Sequence, residues 1–443
     1  MLLSRALRLS PQLDINRGSI IAFVGAGGKT TAIFQLAREL SPPVLVTTTT
    51  HLGAWQIPLA DHHIITQNIS KLYEHEFRGV TLIVDSIQGD RAVGMKEDIL
   101  YWLYAYTQSH NVTLLIEADG SRQKALKAPN EHEPVIPEFT EVVVVVAGFG
   151  GLGKPLNEEN VHRPQLFSTL SGLLLNELIT SDALVRVLTH RNGGLKNIPP
   201  QARRIVLLNQ TDSSELQSIG GTLSTSLLEH FDSVIVGSLS HFNFQTSERT
   251  AGIILAAGAS TRFGQPKQLL DWRGEPFVRV VAQTALKAGL SPVVVVVGAN
   301  AVDVESKIKD LPIMIVRNEN WHSGQASSIR SGVKALPKET GSAIFLLADQ
   351  PQITADVIRA LTEHHATELY PIVAPLVLME QRANPVLFDR VTYPDLLKLE
   401  GDVGGRAIFS KYPVEYLPWH DDRLLLDVDR PEDYQRLIED DTL

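Results

Sequence analysis

The sequence predicts an α/β protein built from two doubly wound, Rossmann-like domains. Three observations predict it. Short valine- and isoleucine-rich runs alternate with helix-like segments along the chain. The first run of each of two such series leads into a glycine-rich turn. The 443 residues exceed what one hydrophobic core usually organises.

The first series comprises Ile20–Val24, Val44–Val46, Thr81–Val84, Leu114–Ile116, Val142–Val146, Ile205–Leu208 and Ser233–Val236. The second comprises Gly252–Leu255, Val293–Val297, Ile313–Val316, Ala343–Leu347 and Ile372–Ala374. Continuous apolar runs of this length suit strands buried on both faces, hence parallel sheets covered by helices. The polar stretch Gly237–Thr250, GSLSHFNFQTSERT, lacks periodicity and reads as a linker, dividing the chain into residues 1–245 and 246–443.

Bulk properties exclude several classes. Lys+Arg and Asp+Glu number 20 and 24 through residue 250, and 20 and 26 beyond it, for a net charge of −10. Neither half is basic, which argues against a nucleic-acid partner. With 0 cysteines, disulfides, thiolate metal sites and cysteine nucleophiles are excluded, and a cytoplasmic location is expected. The N-terminus lacks the apolar core of a secretory signal, and no apolar run approaches the ~20 residues of a membrane span.

The most informative segment is LAAGASTRFGQPK, residues 255–267, directly after a strand. Leu255, Ala256, Ala257 and Gly258 carry the chain out of the sheet. Gly258 and Gly264 present backbone N–H groups to an anion without a Cβ in the way. Arg262 and Lys267 add charge where triphosphate oxygens would lie. The plain alternative is a glycine-rich turn with a solvated arginine and lysine. Small residues, Arg, Gly and Lys in this order after a strand favour phosphate binding.

This segment resembles the opening LAAGxSxRxGxxK of the MobA-like nucleotidyltransferases, and within them the molybdenum cofactor cytidylyltransferases. Further segments are similar. Asn318 to Ser328 matches N-x-x-W-x-x-G-x-x-x-S, and Asp349-Gln350-Pro351 follows a strand as a metal motif does. Asn384-Pro385 and Gly401-Asp402-Val403-Gly404-Gly405-Arg406 resemble acceptor-side elements. Asp427-Val428-Asp429 with Pro431-Glu432-Asp433 resembles the closing motif, with Arg430 replacing the usual threonine. The resemblance implies CTP as substrate and the molybdenum cofactor as acceptor. Ser328 then borders the nucleotide, while Asn318, Asn384, Asp402 and Arg406 border the acceptor. For Asp402 and Arg406 a turn with a local ion pair is the alternative.

In such a reaction an acceptor phosphate attacks the α-phosphorus and pyrophosphate leaves, so positioning and charge neutralisation dominate. Mg²⁺ or Mn²⁺ suits one or two carboxylates plus substrate phosphates. Asp349, with Asp427 or Asp429, is the candidate pair. Ala257, where guanosine users carry glycine, would crowd the base pocket and favour a pyrimidine. His322, His364, His365 and His420 are expected on the surface or in loops, with no role.

In the first half, FVGAGGKTT follows the strand Ile20–Val24. Phe23 stands where a strict P-loop has its first glycine. Gly25, Gly27, Gly28, Lys29, Thr30 and Thr31 still supply a backbone nest, a phosphate-seeking lysine and Mg²⁺-facing hydroxyls. Glu117 or Asp119, at the end of a strand, could hold Mg²⁺ through water. Asn209-Gln210-Thr211-Asp212 resembles a guanine-reading NKxD element with Gln210 in the lysine position, or is a plain strand-end turn. GTP or ATP is therefore the candidate ligand. The hydroxyl-rich Thr47–Thr50 and His51 end either faces a nucleotide or is simply a β-branched strand terminus.

GAGGKTT, TTTTH, Glu117-Ala-Asp-Gly-Ser-Arg122, Lys127-Ala-Pro129 and Glu133-Pro134-Val-Ile-Pro137 resemble the YqeC-type accessory proteins of selenium-dependent molybdenum hydroxylases. That resemblance implies a role in hydroxylase maturation, with a molybdenum hydroxylase as client. The rivals are a GTP-using or sugar- or polyol-phosphate nucleotidyltransferase, and a non-catalytic cofactor carrier or insertion chaperone with a nucleotide switch.

Overall fold

The computed structural model describes residues 1–9, 18–260, 263–377 and 381–440. The chain forms two compact units, Met1–Ser247 and Glu248–Leu443.

The first unit carries a nine-stranded sheet. Its strands are β1 (Ile20–Gly25), β2 (Val44–Thr48), β3 (His62–Ile65), β4 (Val80–Val84), β5 (Thr113–Glu117), β6 (Val142–Gly148), β7 (Arg203–Asn209), β8 (Ser233–Ser238) and β9 (Asn243–Glu248). Their order is β9-β8-β7-β6-β1-β5-β2-β4-β3, and the pairs from β8 through to β3 are parallel. Principal helices are α1 (Lys29–Glu39), α2 (Glu97–His110), α3 (Ser181–Thr189) and α4 (Ser214–Leu227). Alternate residues of one strand feed opposite cores: Ile20, Ala22 and Val24 pack in one cluster, Ile21 and Phe23 in the other. After β1 the chain builds one flank, returns at β5, then crosses to β6 on the other flank of β1. This reversal opens a crevice at the C-terminal ends of β1, β5 and β6, where α/β sheets bind ligands.

The second unit carries an eight-stranded sheet. It contains β10 (Thr250–Ala256), β11 (Val293–Val297), β12 (Met314–Arg317), β13 (Ser342–Leu347), β14 (Ile372–Val377), β15 (Gln381–Arg382), β16 (Val386–Asp389) and β17 (Val414–Pro418). The order is β12-β11-β10-β13-β16-β14-β15, with β17 beside β14. Principal helices are α5 (Phe277–Lys287), α6 (Ala301–Ile308), α7 (Gln325–Lys334) and α8 (Ala355–Glu368). Parallel pairing was expected throughout; β16 instead runs antiparallel to both β13 and β14. The chain doubles back after β14, and a short run such as Val386–Phe388 carries no mark of its direction.

Two further expectations are corrected. Gly237–Thr250 is not an irregular linker, because β8, β9 and β10 occupy most of it. The burial of Asn243–Glu248 alternates along the strand, with Phe244 and Thr246 inward. That period of two is masked in sequence because the inward positions are partly polar. His365 is not a surface residue: it is 4% exposed, and its Nε2 lies 2.7 Å from Asp389 Oδ2, so it is a core histidine satisfied by a carboxylate. Among the described residues no helix is long and apolar enough to cross a membrane.

Candidate functional sites

In the first unit the turn after β1 is shaped by glycine. Gly25, Gly27 and Gly28 have φ of +95°, +87° and +129°. A Cβ on Gly27 would lie 2.5 Å from Gly148 Cα, so both conformation and space demand glycine. α1 starts at Lys29, with Gly28 as its N-cap and no side-chain cap, leaving its first N–H groups for another acceptor. Thr30 Oγ1 donates to Glu117 Oε2 at 2.7 Å, joining α1 to the end of β5. Lys29 Nζ donates to Gly25 O at 2.7 Å and lies 3.2 Å from Asp119 Oδ1. Thr31 is exposed on the first turn.

Behind this turn lies a chain of charges. Both oxygens of Asp119 accept the Gly25 N–H, at 3.1 and 3.0 Å. Lys127 Nζ donates to Asp119 Oδ2, Gly120 O and Glu133 Oε2 at 2.8, 2.7 and 2.8 Å. Arg163 forks onto Glu133 at 2.7 and 2.8 Å. Burial pushes the Glu117 carboxyl above its ordinary range, and Lys29 and Thr30 offset this only in part. Burial also disfavours the Glu133 carboxylate, but the Arg163 and Lys127 bonds and charges outweigh it and hold Glu133 down at about 2. Burial, then the charges of Arg163, Lys127 and Arg122, bring His162 down to about 4.

Three of the four threonines of the TTTTH segment satisfy the protein's own backbone, while the buried Thr50 hydroxyl has no partner among the described residues. Thr47, Thr48 and Thr49 hydroxyls donate to the carbonyls of Ile83, Glu117 and Val135 at 2.8, 2.8 and 2.7 Å. At the end of β7, Asn209 Nδ2 donates to Gly27 O at 2.7 Å. Gln210 (φ +65°) accepts the Gly150 N–H at 3.1 Å, so its carboxamide pins a neighbouring turn. Asp212 Oδ1 accepts the Ser238 hydroxyl at 2.5 Å.

In the second unit, Ala256, Ala257 and Gly258 leave β10 at the centre of the sheet. Leu255 is half-buried, while Ala256 and Ala257 are buried. Gly264 (φ +82°) and Gly258 face open space where a Cβ would stand. Arg262 lies outside the described residues. Lys267 Nζ donates to Asp349 Oδ2 at 2.7 Å and Asp429 Oδ1 at 2.8 Å, gathering residues far apart in sequence. Burial disfavours the charged Lys267, but Asp349 and Asp429 reverse this and raise its pKa. Burial and the nearby Asp349 charge raise the Asp427 pKa, while the Gln350 amide, which donates to Asp427 Oδ1, opposes this.

Among the described residues no three His, Cys, Asp or Glu side chains form a metal-holding group. A pair of carboxylates converging on one small cation nevertheless fits Mg²⁺, which takes one or two carboxylates and completes its shell with phosphate oxygens and water. Asp349 and Asp429, joined here through Lys267, could supply such a pair, with Asp427 close enough to feel both charges.

Asn318 Nδ2 donates to Ser327 and Ser328 Oγ at 2.7 and 3.0 Å, bracing the start of α7. Asp402 Oδ1 accepts the Gln325 N–H at 3.2 Å, and Arg406 donates to Arg382 O at 3.3 Å. Asn384 is half-buried before Pro385. Sequence reasoning missed Gln268. It is 4% exposed; its Nε2 donates to Gly258 O at 3.1 Å, and its Oε1 accepts from Ser260 Oγ at 3.2 Å. The available signal was an amide inside the apolar pattern after Lys267, since a buried amide requires partners.

Residues 21–165 match the family model of the YqeC protein, and residues 252–416 that of the MobA-like NTP transferase domain. The chain is 33% identical over 227 residues to the uncharacterized protein YqeC of Escherichia coli, covering 48% of this chain and 84% of that protein. It is 33% identical over 197 residues to nicotine blue oxidoreductase of Paenarthrobacter nicotinovorans, covering 42% and 95%. It is 27% identical over 142 residues to a probable molybdenum cofactor guanylyltransferase of Bacillus mycoides, covering 31% and 66%. The chain therefore belongs to the YqeC family through its N-terminal half, and its C-terminal half matches a MobA-like NTP transferase domain.

Proposed function

We propose that the C-terminal half transfers CMP from CTP to the molybdopterin phosphate of the molybdenum cofactor, releasing pyrophosphate. The observation that carries this reading is the Lys267 ammonium held between Asp349 and Asp429, in the segment where Gly258 and Gly264 face open space. An oxygen of the acceptor phosphate bonds to the α-phosphorus as the bond to the bridging β-phosphate oxygen breaks. Lys267 offsets charge on the phosphates, and Gln268 and Ser260 hold the turn in shape. Mg²⁺ or Mn²⁺ on Asp349 and Asp429 would neutralise the triphosphate when bound. Ala257, buried where a glycine would leave more room, would narrow a base pocket there, which supports a pyrimidine over a purine. Asn318, Asn384, Asp402 and Arg406 are the proposed acceptor side.

The N-terminal half, in this reading, binds a Mg²⁺-nucleotide through Gly25–Thr30 with Glu117 or Asp119, and serves maturation of a molybdenum hydroxylase client in the cytoplasm. The test is pyrophosphate release and labelled-product formation with purified molybdenum cofactor and each of CTP and GTP. CTP should exceed GTP in kcat/KM, and Lys267→Ala should lower transfer by roughly 10²-fold. Preference for GTP sinks the cytidine assignment. Transfer only to sugar or polyol phosphates sinks the cofactor assignment, and oxidation or reduction of nicotine blue without transfer would favour a redox activity instead.

A further inference from the structure

We infer that the N-terminal nucleotide site reads guanine, through Asp212 as held by Ser238. This rests on the proposed Mg²⁺-nucleotide reading of that half. β7 and β8 are parallel neighbours, so the turns that follow them, Gln210–Asp212 and Leu239–His241, emerge side by side. The Asn209 amide ties both to the phosphate turn: its Nδ2 donates to Gly27 O at 2.7 Å, and its Oδ1 accepts the Leu239 N–H at 3.0 Å. Asn209 is 4% exposed, and a Cβ on Gly28 would stand 2.5 Å from its Nδ2. Phosphate turn and strand-end turns are thus one bonded framework.

On this framework Asp212 presents a half-exposed carboxylate at the rim. Ser238, buried at the end of β8, donates its hydroxyl to Asp212 Oδ1 at 2.5 Å and fixes one side of the group. Ser240 Oγ and His241 Nδ1 each lie 2.9 Å from Ser238 Oγ, and His241 Nδ1 lies 3.4 Å from Asp212 Oδ1. A carboxylate only accepts, so it matches a base edge offering two adjacent donors. Guanine offers them at N1–H and the 2-amino group. Adenine sets the N1 lone pair against the carboxylate, and cytosine sets its N3 lone pair there. Ser238 is a positioning residue: it touches Asp212 rather than the base.

The experiment is calorimetric titration of the full chain with GTP, ATP and XTP, each with Mg²⁺. Binding lost in Lys29→Ala is assigned to the N-terminal site, which separates it from binding at the transferase site. GTP should exceed ATP there by roughly tenfold or more, because two hydrogen bonds to a carboxylate are replaced by a lone pair set against it. Asp212→Asn should exchange this preference for XTP, since xanthine carries a carbonyl where guanine has its amino group and a carboxamide can donate to it. Ser238→Ala should weaken GTP about tenfold and leave ATP unchanged. Equal or tighter ATP binding, or an Asp212→Asn variant with unaltered base preference, overturns the guanine assignment alone. Binding of every nucleotide undiminished by Lys29→Ala overturns the underlying nucleotide reading as well.

Discussion

Glu133 offers a test of the charge chain behind the N-terminal turn. Its carboxylate holds Lys127 and Arg163, and Lys127 in turn fixes Asp119 against the Gly25 N–H. The fall of its pKa from 4.5 to about 2, at about 1.4 kcal/mol per unit, corresponds to about 3 kcal/mol of stability in the first unit. A carboxyl depressed on folding stabilises above its unfolded pKa and loses that contribution as pH falls through the folded one. The Glu133 share is therefore complete above pH 4.5 and gone near pH 2. His162, depressed from 6.5 to about 4, acts in the same direction in a higher window: the unfolded chain takes up its proton first as pH falls below 6.5. Glu133→Gln should cost about 3 kcal/mol at pH 7 and flatten the Glu133 limb below pH 4.5, while deepening the His162 limb, whose depression the Glu133 charge opposes. Urea titration with pulsed amide exchange of the Val142–Gly148 peptide reads the first unit separately from the second. A loss below about 1 kcal/mol, or an unchanged slope below pH 4.5, would refute the reasoning.

Three further outcomes are expected. Gln268→Ala removes the donor to Gly258 O and the acceptor of the Ser260 hydroxyl and should lower transfer kcat/KM about tenfold, with near-normal turnover removing its role in shaping the turn. Gly27→Ala forces a Cβ within 2.5 Å of Gly148 Cα at φ +87° and should destabilise the first unit by roughly 2–4 kcal/mol, read by the same exchange assay. A fragment of residues 248–443 should fold and retain transfer, because that unit has its own sheet and cores; an unfolded or inactive fragment beside an active full chain contradicts this.

Local sequence determined the strands and the glycine-rich turns. Uninterrupted runs such as Val142–Val146 and Val293–Val297 become strands wherever two apolar faces must be buried, and Gly25, Gly27 and Gly264 occupy positive-φ positions that glycine reaches without steric cost. The motifs also named Lys267, Asp349 and Asp429 separately. Their convergence on one ammonium depends on the order of β10 and β13 in the sheet and on where the chain after β17 returns, neither of which is encoded within any one motif. Tertiary structure likewise decided the roles of polar residues that serve the fold. Gln210, in the lysine position of the NKxD-like segment, pins the Gly150 N–H, and Gln268 braces Gly258 O and Ser260 from within the apolar pattern. His365 entered the core because Asp389 waits there. A polar side chain is buried when a partner is brought to it, and that partner can lie anywhere in the chain; periodicity reports only the apolar face that drives the packing.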